Sequence, residues 1–175
     1  MNSNIFYDIV WSEAELRRYR ELFDDWKGEQ SPLEERSGDR ELLDITDDYP
    51  DPSVLISKYT NSLSDRVAAE LSNSFPSGYS IDARLSLYNK HQSYGWHHDA
   101  SRTYRHPQNS NWRRIISSIT YLNDNFKGGE TEFEDQLIIP ESGKTLIFPS
   151  SFNYPHRGCP VIEGIKKILV LHVWV

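Results

Sequence analysis

From Tyr79 to Val175 the chain is a succession of short runs rich in valine, isoleucine, leucine, threonine and aromatic residues. The runs are YSIDARLSLYN, WRRIISSITYLN, GETEFED, GKTLIFP and KKILVLHVWV, and the breaks between them are NDNFKGG, PESGK and PSSFNYPHRGCP. Runs of this kind, punctuated by glycine, proline and asparagine, read as β-strands joined by turns. They restrict this half of the chain to a β-sandwich or barrel.

The preceding residues have a different texture. SEAELRRYRELFDDW opens with Ser12 and Glu15 at the spacing of a capping box, and Leu16, Tyr19, Leu22, Phe23 and Trp26 then recur at helical intervals. Residues 27–50 show no sustained period and read as loop with a short strand. A second helix is expected from Asp51-Pro52, with Leu55, Tyr59, Leu63, Val67 and Leu71 as its stripe. The expected fold is therefore mainly β (α+β). Residues 1–78 form a helical support packed on one sheet, residues 79–175 form the β core, and 1–175 make one domain, a length that can bury a real core.

Composition narrows the function. With 19 Lys and Arg against 26 Asp and Glu, the net charge is −7. A surface this acidic disfavours nucleic acid as a general partner. No apolar run approaches membrane-spanning length, and the polar, acidic start MNSNIFYDIVWSEAE lacks the charged end and apolar run of a signal peptide. Cytoplasmic residence is expected. The single cysteine, Cys159, excludes an intrachain disulfide and a thiolate zinc site.

The chemistry is concentrated in YGWHHDASRTYRHP, residues 94–107. His97 and Asp99 stand two apart, so on a strand they project from one face, and His98 faces the other way. His156, in FNYPHRG, is a third donor. Two imidazoles and a carboxylate can hold iron(II) on one side of an octahedron, with three positions open; a zinc hydrolase can use the same set. On the last run, Lys166, Ile168, Val170, His172 and Trp174 share one face and Lys167 takes the other.

The stretch from Tyr88 to Lys166 resembles the 2-oxoglutarate/iron(II)-dependent dioxygenases, in particular the prolyl 4-hydroxylase-like branch. Tyr88, Tyr94 and His97 meet the spacing of that family's first motif, with His91 where the family has glycine. SITYLNDNFKGGETEF (118–133) is similar to its Gly-Gly-Glu hairpin, and GKTLIFPSSFNYPHRGCPVIEGIKKILVLHVW to its distal histidine and Gly-x-basic ending. The resemblance implies a double-stranded β-helix, a jelly roll with the metal near one open end. It implies His97, Asp99 and His156 as Fe(II) ligands and Lys166 as the cation for the distal carboxylate of 2-oxoglutarate. Tyr121 would complete that recognition and Tyr88 would face the cosubstrate. Dioxygen is the co-reactant and ascorbate the reductant that the resemblance implies, and an aspartate at the Asp99 position favours hydroxylation.

The same branch implies a peptidyl-proline substrate, with residues 100–112 as a flap. A free amino acid or other small metabolite is the alternative, its carboxylate held by Arg102 or Arg105. Arg157 and Trp174 are further candidates for substrate contact, and His172 is a support for a metal ligand, a substrate contact or a satisfied core histidine, the last two being favoured. Two rivals lie outside this class. A non-catalytic metal-binding jelly roll would not need Lys166 facing the pocket, and a zinc hydrolase would need a general base beside the metal water.

Overall fold

The structure is a computed structural model and describes residues 4–25, 40–45, 80–100 and 112–175. In chain order the elements are β1 (Phe6–Ile9), α1 (Glu13–Asp25), β2 (Glu41–Asp44), β3 (Ser80–Tyr88), β4 (Tyr94–His97), β5 (Arg114–Tyr121), β6 (Lys127–Gly128), β7 (Thr131–Phe133), β8 (Leu137–Ile138), β9 (Lys144–Pro149), β10 (His156–Gly158), β11 (Val161–Glu163) and β12 (Lys166–Trp174). The chain is mostly β. A six-stranded sheet has the order β1-β9-β5-β12-β3-β2, a four-stranded sheet the order β4-β10-β7-β8, and β11 pairs with β6. Every pairing is antiparallel.

Helix α1 starts where the capping box places it. The backbone N–H of Ser12 donates to Glu15 Oε2 at 2.7 Å, and the Glu15 N–H donates back to Ser12 Oγ at 3.3 Å. Leu16, Tyr19 and Phe23 are buried in one cluster with Ala83, Leu85, Leu169, Leu171 and Val173, so the helix lies against one face of the large sheet. Burying each of these large side chains contributes about 1.5–3 kcal/mol.

The other face of that sheet is the interior. Ile168 and Tyr121 from the large sheet share a second buried cluster with Phe133 from the small one. On β3 the alternation is inverted relative to a surface strand. Ala83 and Leu85 pack toward the helix, whereas Arg84, Ser86 and Tyr88 line a pocket inside the fold. Lys166, Ile168, Val170 and His172 line the same pocket from β12, and Lys167 on the opposite parity reaches Asp24 of α1 at 3.2 Å.

The first 78 residues depart from the expected helical support. Only one helix is present among the described residues, and β1 and β2 add strands to both edges of the large sheet, β1 on β9 and β2 on β3. Strand β2 falls in the stretch 27–50 expected to hold a short strand, whereas β1 is unexpected, because a four-residue strand is too short for a two-residue period to stand out and its partner lies far along the chain. The expected helix from Asp51 and its stripe, together with Trp26, lie outside the described residues.

Candidate metal centre

Strand β10 lies between β4 and β7, and the register sets His156 opposite His97 and Phe133. Antiparallel pairing thus joins two histidines that are distant in sequence, with ring centroids 4.2 Å apart. Each imidazole is oriented by its own backbone: His97 Nδ1 lies 2.8 Å from Gly95 O and His156 Nδ1 lies 3.0 Å from Tyr154 O. A carbonyl only accepts, so Nδ1 carries the proton in each neutral ring and the Nε2 lone pair is free for an ion.

Asp99 meets them from a turn. Strand β4 ends at His97, so the carboxylate is delivered past the strand rather than along it, while His98 is exposed. Asp99 Oδ1 is 3.5 Å from His97 Nε2 and Oδ2 is 3.9 Å from His156 Nε2. The donor atoms of all three residues fall within 4.8 Å of one another, and the group could hold a metal ion.

The electrostatics match that use. Burial opposes ionisation of Asp99, but the His172 and His97 imidazoles beside it outweigh burial and hold its carboxyl well below the usual range. Burial pushes His156 down to about 4, against the opposing pull of Asp99. The neutral ring and the ionised carboxylate are the ligating forms. Phe148 and Phe133 pack around His156 at centroid distances of 4.7 and 5.5 Å and keep that side dry.

A second carboxylate supports the first. His172 Nε2 is 3.6 Å from Asp99 Oδ2, and its Nδ1 is 2.8 Å from Asp82 Oδ1. Asp82 Oδ2 also accepts from the Trp174 indole at 2.7 Å and from Arg114 at 3.1 Å. Burial raises the Asp82 carboxyl, but His172 and the arginines overcome it and leave the acid ionised. Trp174 therefore reaches the site through Asp82 and is not among the side chains lining the pocket.

Lys166 lies in the same pocket, 2% exposed. Its Nζ donates to Gly129 O at 2.6 Å and sits 5.3 Å from the Tyr88 ring and 5.5 Å from the Tyr121 ring. No carboxylate pairs with it among the described residues, and burial depresses its pKa to about 8. Tyr121 is fully buried with its hydroxyl 2.7 Å from that of Thr131, and it is Thr131 that lines the pocket. Tyr88 lines the pocket directly. Arg157 points elsewhere, donating to Glu132 at 2.6 Å and lying 5.2 Å from the Trp96 ring. Arg102 and Arg105 lie outside the described residues.

Sequence reasoning missed Arg40 and Asp82. Asp82 shares the parity of Tyr88 on β3, a signal that was available; Arg40 sits in an acidic tract and carries none.

The model of the 2OG-Fe(II) oxygenase superfamily matches residues 83–175, more than half of the chain. The chain belongs to that superfamily. No curated protein matches it by sequence. Among solved structures it is similar to the viral collagen prolyl hydroxylase of Paramecium Bursaria Chlorella virus-1 in its 2OG complex, with a TM-score of 0.66 at 19% identity over 99% of this chain and 97% of that one. A prolyl-4-hydroxylase from Pseudomonas putida gives 0.68 at 16% identity, covering 98% and 92%. A Trichoplax adhaerens prolyl hydroxylase in complex with a hypoxia inducible factor peptide fragment gives 0.64 at 17%, covering 99% and 84%. The shared fold is the oxygenase jelly roll, and family membership makes the chain an oxidoreductase that uses iron(II), 2-oxoglutarate and dioxygen. The donor set suits such a centre: two imidazole nitrogens and one ionised carboxylate converge beside an open pocket. Among the described residues no helix is long and apolar enough to cross a membrane.

Proposed function

We propose that the chain hydroxylates a C–H bond of a prolyl residue in a peptide, with His97, Asp99 and His156 as the iron ligands. The observation that carries this reading is a buried lysine without a carboxylate partner in the pocket that holds the three donors. A metal-binding module with no cosubstrate gains nothing from a desolvated ammonium, which costs stability. A dicarboxylate that binds the metal at one end needs a cation at the other.

Iron, 2-oxoglutarate and dioxygen supply the oxidising chemistry when bound. The protein's part is to hold and exclude. The Nδ1 contacts of His97 and His156 set their Nε2 atoms toward the ion, and the Asp82–His172 pair holds the Asp99 carboxylate. Lys166 and Tyr88 receive the cosubstrate, Thr131 and Tyr121 shape that end of the pocket, and ascorbate serves as the reductant that keeps iron ferrous. The prolyl assignment is supported by the likeness of fold to three prolyl hydroxylases, one of them named with its peptide.

The test is succinate formation by anaerobically purified protein given iron(II), ascorbate, 2-oxoglutarate and dioxygen, with and without a library of proline peptides. Peptide-stimulated succinate with a 16-dalton gain on proline is expected. Iron-loaded protein that shows no heat of 2-oxoglutarate binding would return the site to a zinc hydrolase or a non-catalytic jelly roll.

A further inference from the structure

Arg40 precedes β2 and is a second cation of this pocket with no acid beside it among the described residues. One guanidinium nitrogen donates to the Tyr88 hydroxyl at 3.2 Å, and the guanidinium carbon lies 3.6 Å from the centre of the Tyr94 ring. The Tyr94 ring in turn lies 4.2 Å from the His97 imidazole, so Arg40 stands one ring away from a candidate metal ligand. Among the described residues no carboxylate comes within ion-pair distance of it. A guanidinium has five N–H donors, and phenols use only a few of them.

The charges around the pocket favour a ligand. Arg114 is paired with Asp82, and Arg84 stands near enough to the same carboxylate to help lower its pKa. Lys166 and an iron(II) ion together balance Asp99 and the two carboxylates of 2-oxoglutarate. Arg40, held by two tyrosines, adds a positive charge that none of these groups balances. It is also poorly placed for the distal carboxylate of the cosubstrate, because it holds Tyr88 by the hydroxyl while Lys166 sits over the ring of that tyrosine.

Resting on the function proposed above, we infer that Arg40 binds a carboxylate of the substrate, so that the hydroxylated molecule is an acid rather than a neutral chain. The carboxylate belongs either to an acidic residue next to the target proline or to a free amino acid. Recognition is a charge-assisted, two-nitrogen contact in a partly desolvated site, with the Tyr94 face holding the guanidinium plane in position.

The experiment uses full-length protein loaded with manganese(II) and 2-oxoglutarate without dioxygen, so that binding is read apart from turnover. One arm compares capped proline pentapeptides with glutamate or glutamine beside the proline. The other compares L-proline with L-prolinamide. In one arm the acid is expected to bind at least tenfold more tightly than its amide. Arg40→Gln is expected to reduce that ratio below about twofold, and Arg40→Lys to restore part of it. A purely structural clamp on Tyr94 would weaken acid and amide alike and leave the ratio intact. Equal affinities for acid and amide in both arms of the wild-type protein overturn the inference while leaving the function standing. So does an Arg40→Gln variant whose main loss is affinity for 2-oxoglutarate, which would assign Arg40 to the cosubstrate. Wild-type protein that binds manganese but not 2-oxoglutarate would sink the function itself, and this inference with it.

Discussion

Replacing Lys166 with methionine should make the empty protein more stable and the enzyme useless. The ammonium is buried and lacks an acid, and its pKa falls from the usual 10.5 of a lysine to about 8. At 1.36 kcal/mol per pH unit, keeping it charged at pH 7 costs roughly 3 kcal/mol. Methionine has similar length and no charge, but it leaves Gly129 O without its donor, a loss of about 1–2 kcal/mol. The balance is a gain of about 1–2 kcal/mol at pH 7, read as a rise in Tm of about 2–4 °C per kcal/mol for a chain of this size. The sign has a pH signature. Between about 8 and 10.5 the unfolded lysine holds a proton that the folded one has lost, so wild-type stability rises through that window. The gap between the two proteins should therefore close as pH increases. Affinity for 2-oxoglutarate should fall by about 2–5 kcal/mol, on the order of 30-fold or more, because one partner of a buried charge pair is gone. Urea denaturation of both apoproteins from pH 7 to 10, with calorimetry on the manganese forms, measures every quantity. A variant less stable than wild type at pH 7, by an amount that does not change with pH, would refute the reasoning.

The same lysine sets a pH profile for ligand binding. Below about 8 it is charged with or without 2-oxoglutarate, so affinity should be flat; above 8 binding must recapture a proton, and affinity should drop about tenfold per pH unit by calorimetry. Asp82→Asn removes the acid shared by His172, Trp174 and Arg114 and takes one carboxylate partner from a buried guanidinium. A loss of about 3–5 kcal/mol in urea is expected, with weaker manganese binding in whatever remains folded. His91 occupies the left-handed region at φ 72°, where the related motif has glycine. His91→Val should cost about 1–2 kcal/mol, and His91→Gly should cost nothing measurable in the same denaturation assay.

What could be read in advance, and what could not, follows from the range of the forces involved. The capping box of Ser12 and Glu15 is local chemistry, and the bonds it calls for are formed. The two faces of β12 follow from pleating alone, which sent Lys166 and His172 inward and Lys167 to Asp24. Motif spacing singled out His97, Asp99 and His156 although nothing local joins them; the β4–β10 register does. Strand β1 was illegible for the opposite reason, because a four-residue strand depends on a distant partner for its identity, while β2 lies in the stretch 27–50 read as loop with a short strand.

Asp82 went unread because its strand departs from a common rule, whereas Arg40 lies outside any strand pattern. An alternating strand is ordinarily read as apolar inside and polar outside. On β3 the apolar set faces α1 and the polar set, Asp82, Arg84, Ser86 and Tyr88, turns to the cavity side. A sheet covered by a helix on one face and enclosing a charged site on the other has no conventional water face. Its most polar positions are then the ones buried with the chemistry, at a cost in desolvation that only paired charges or a bound ligand can offset. Asp82 is half-buried with His172, Trp174 and Arg114 as its partners. Lys166 and Arg40 have no acidic partner among the described residues, which is why both the cosubstrate and the carboxylate of the substrate are assigned to them.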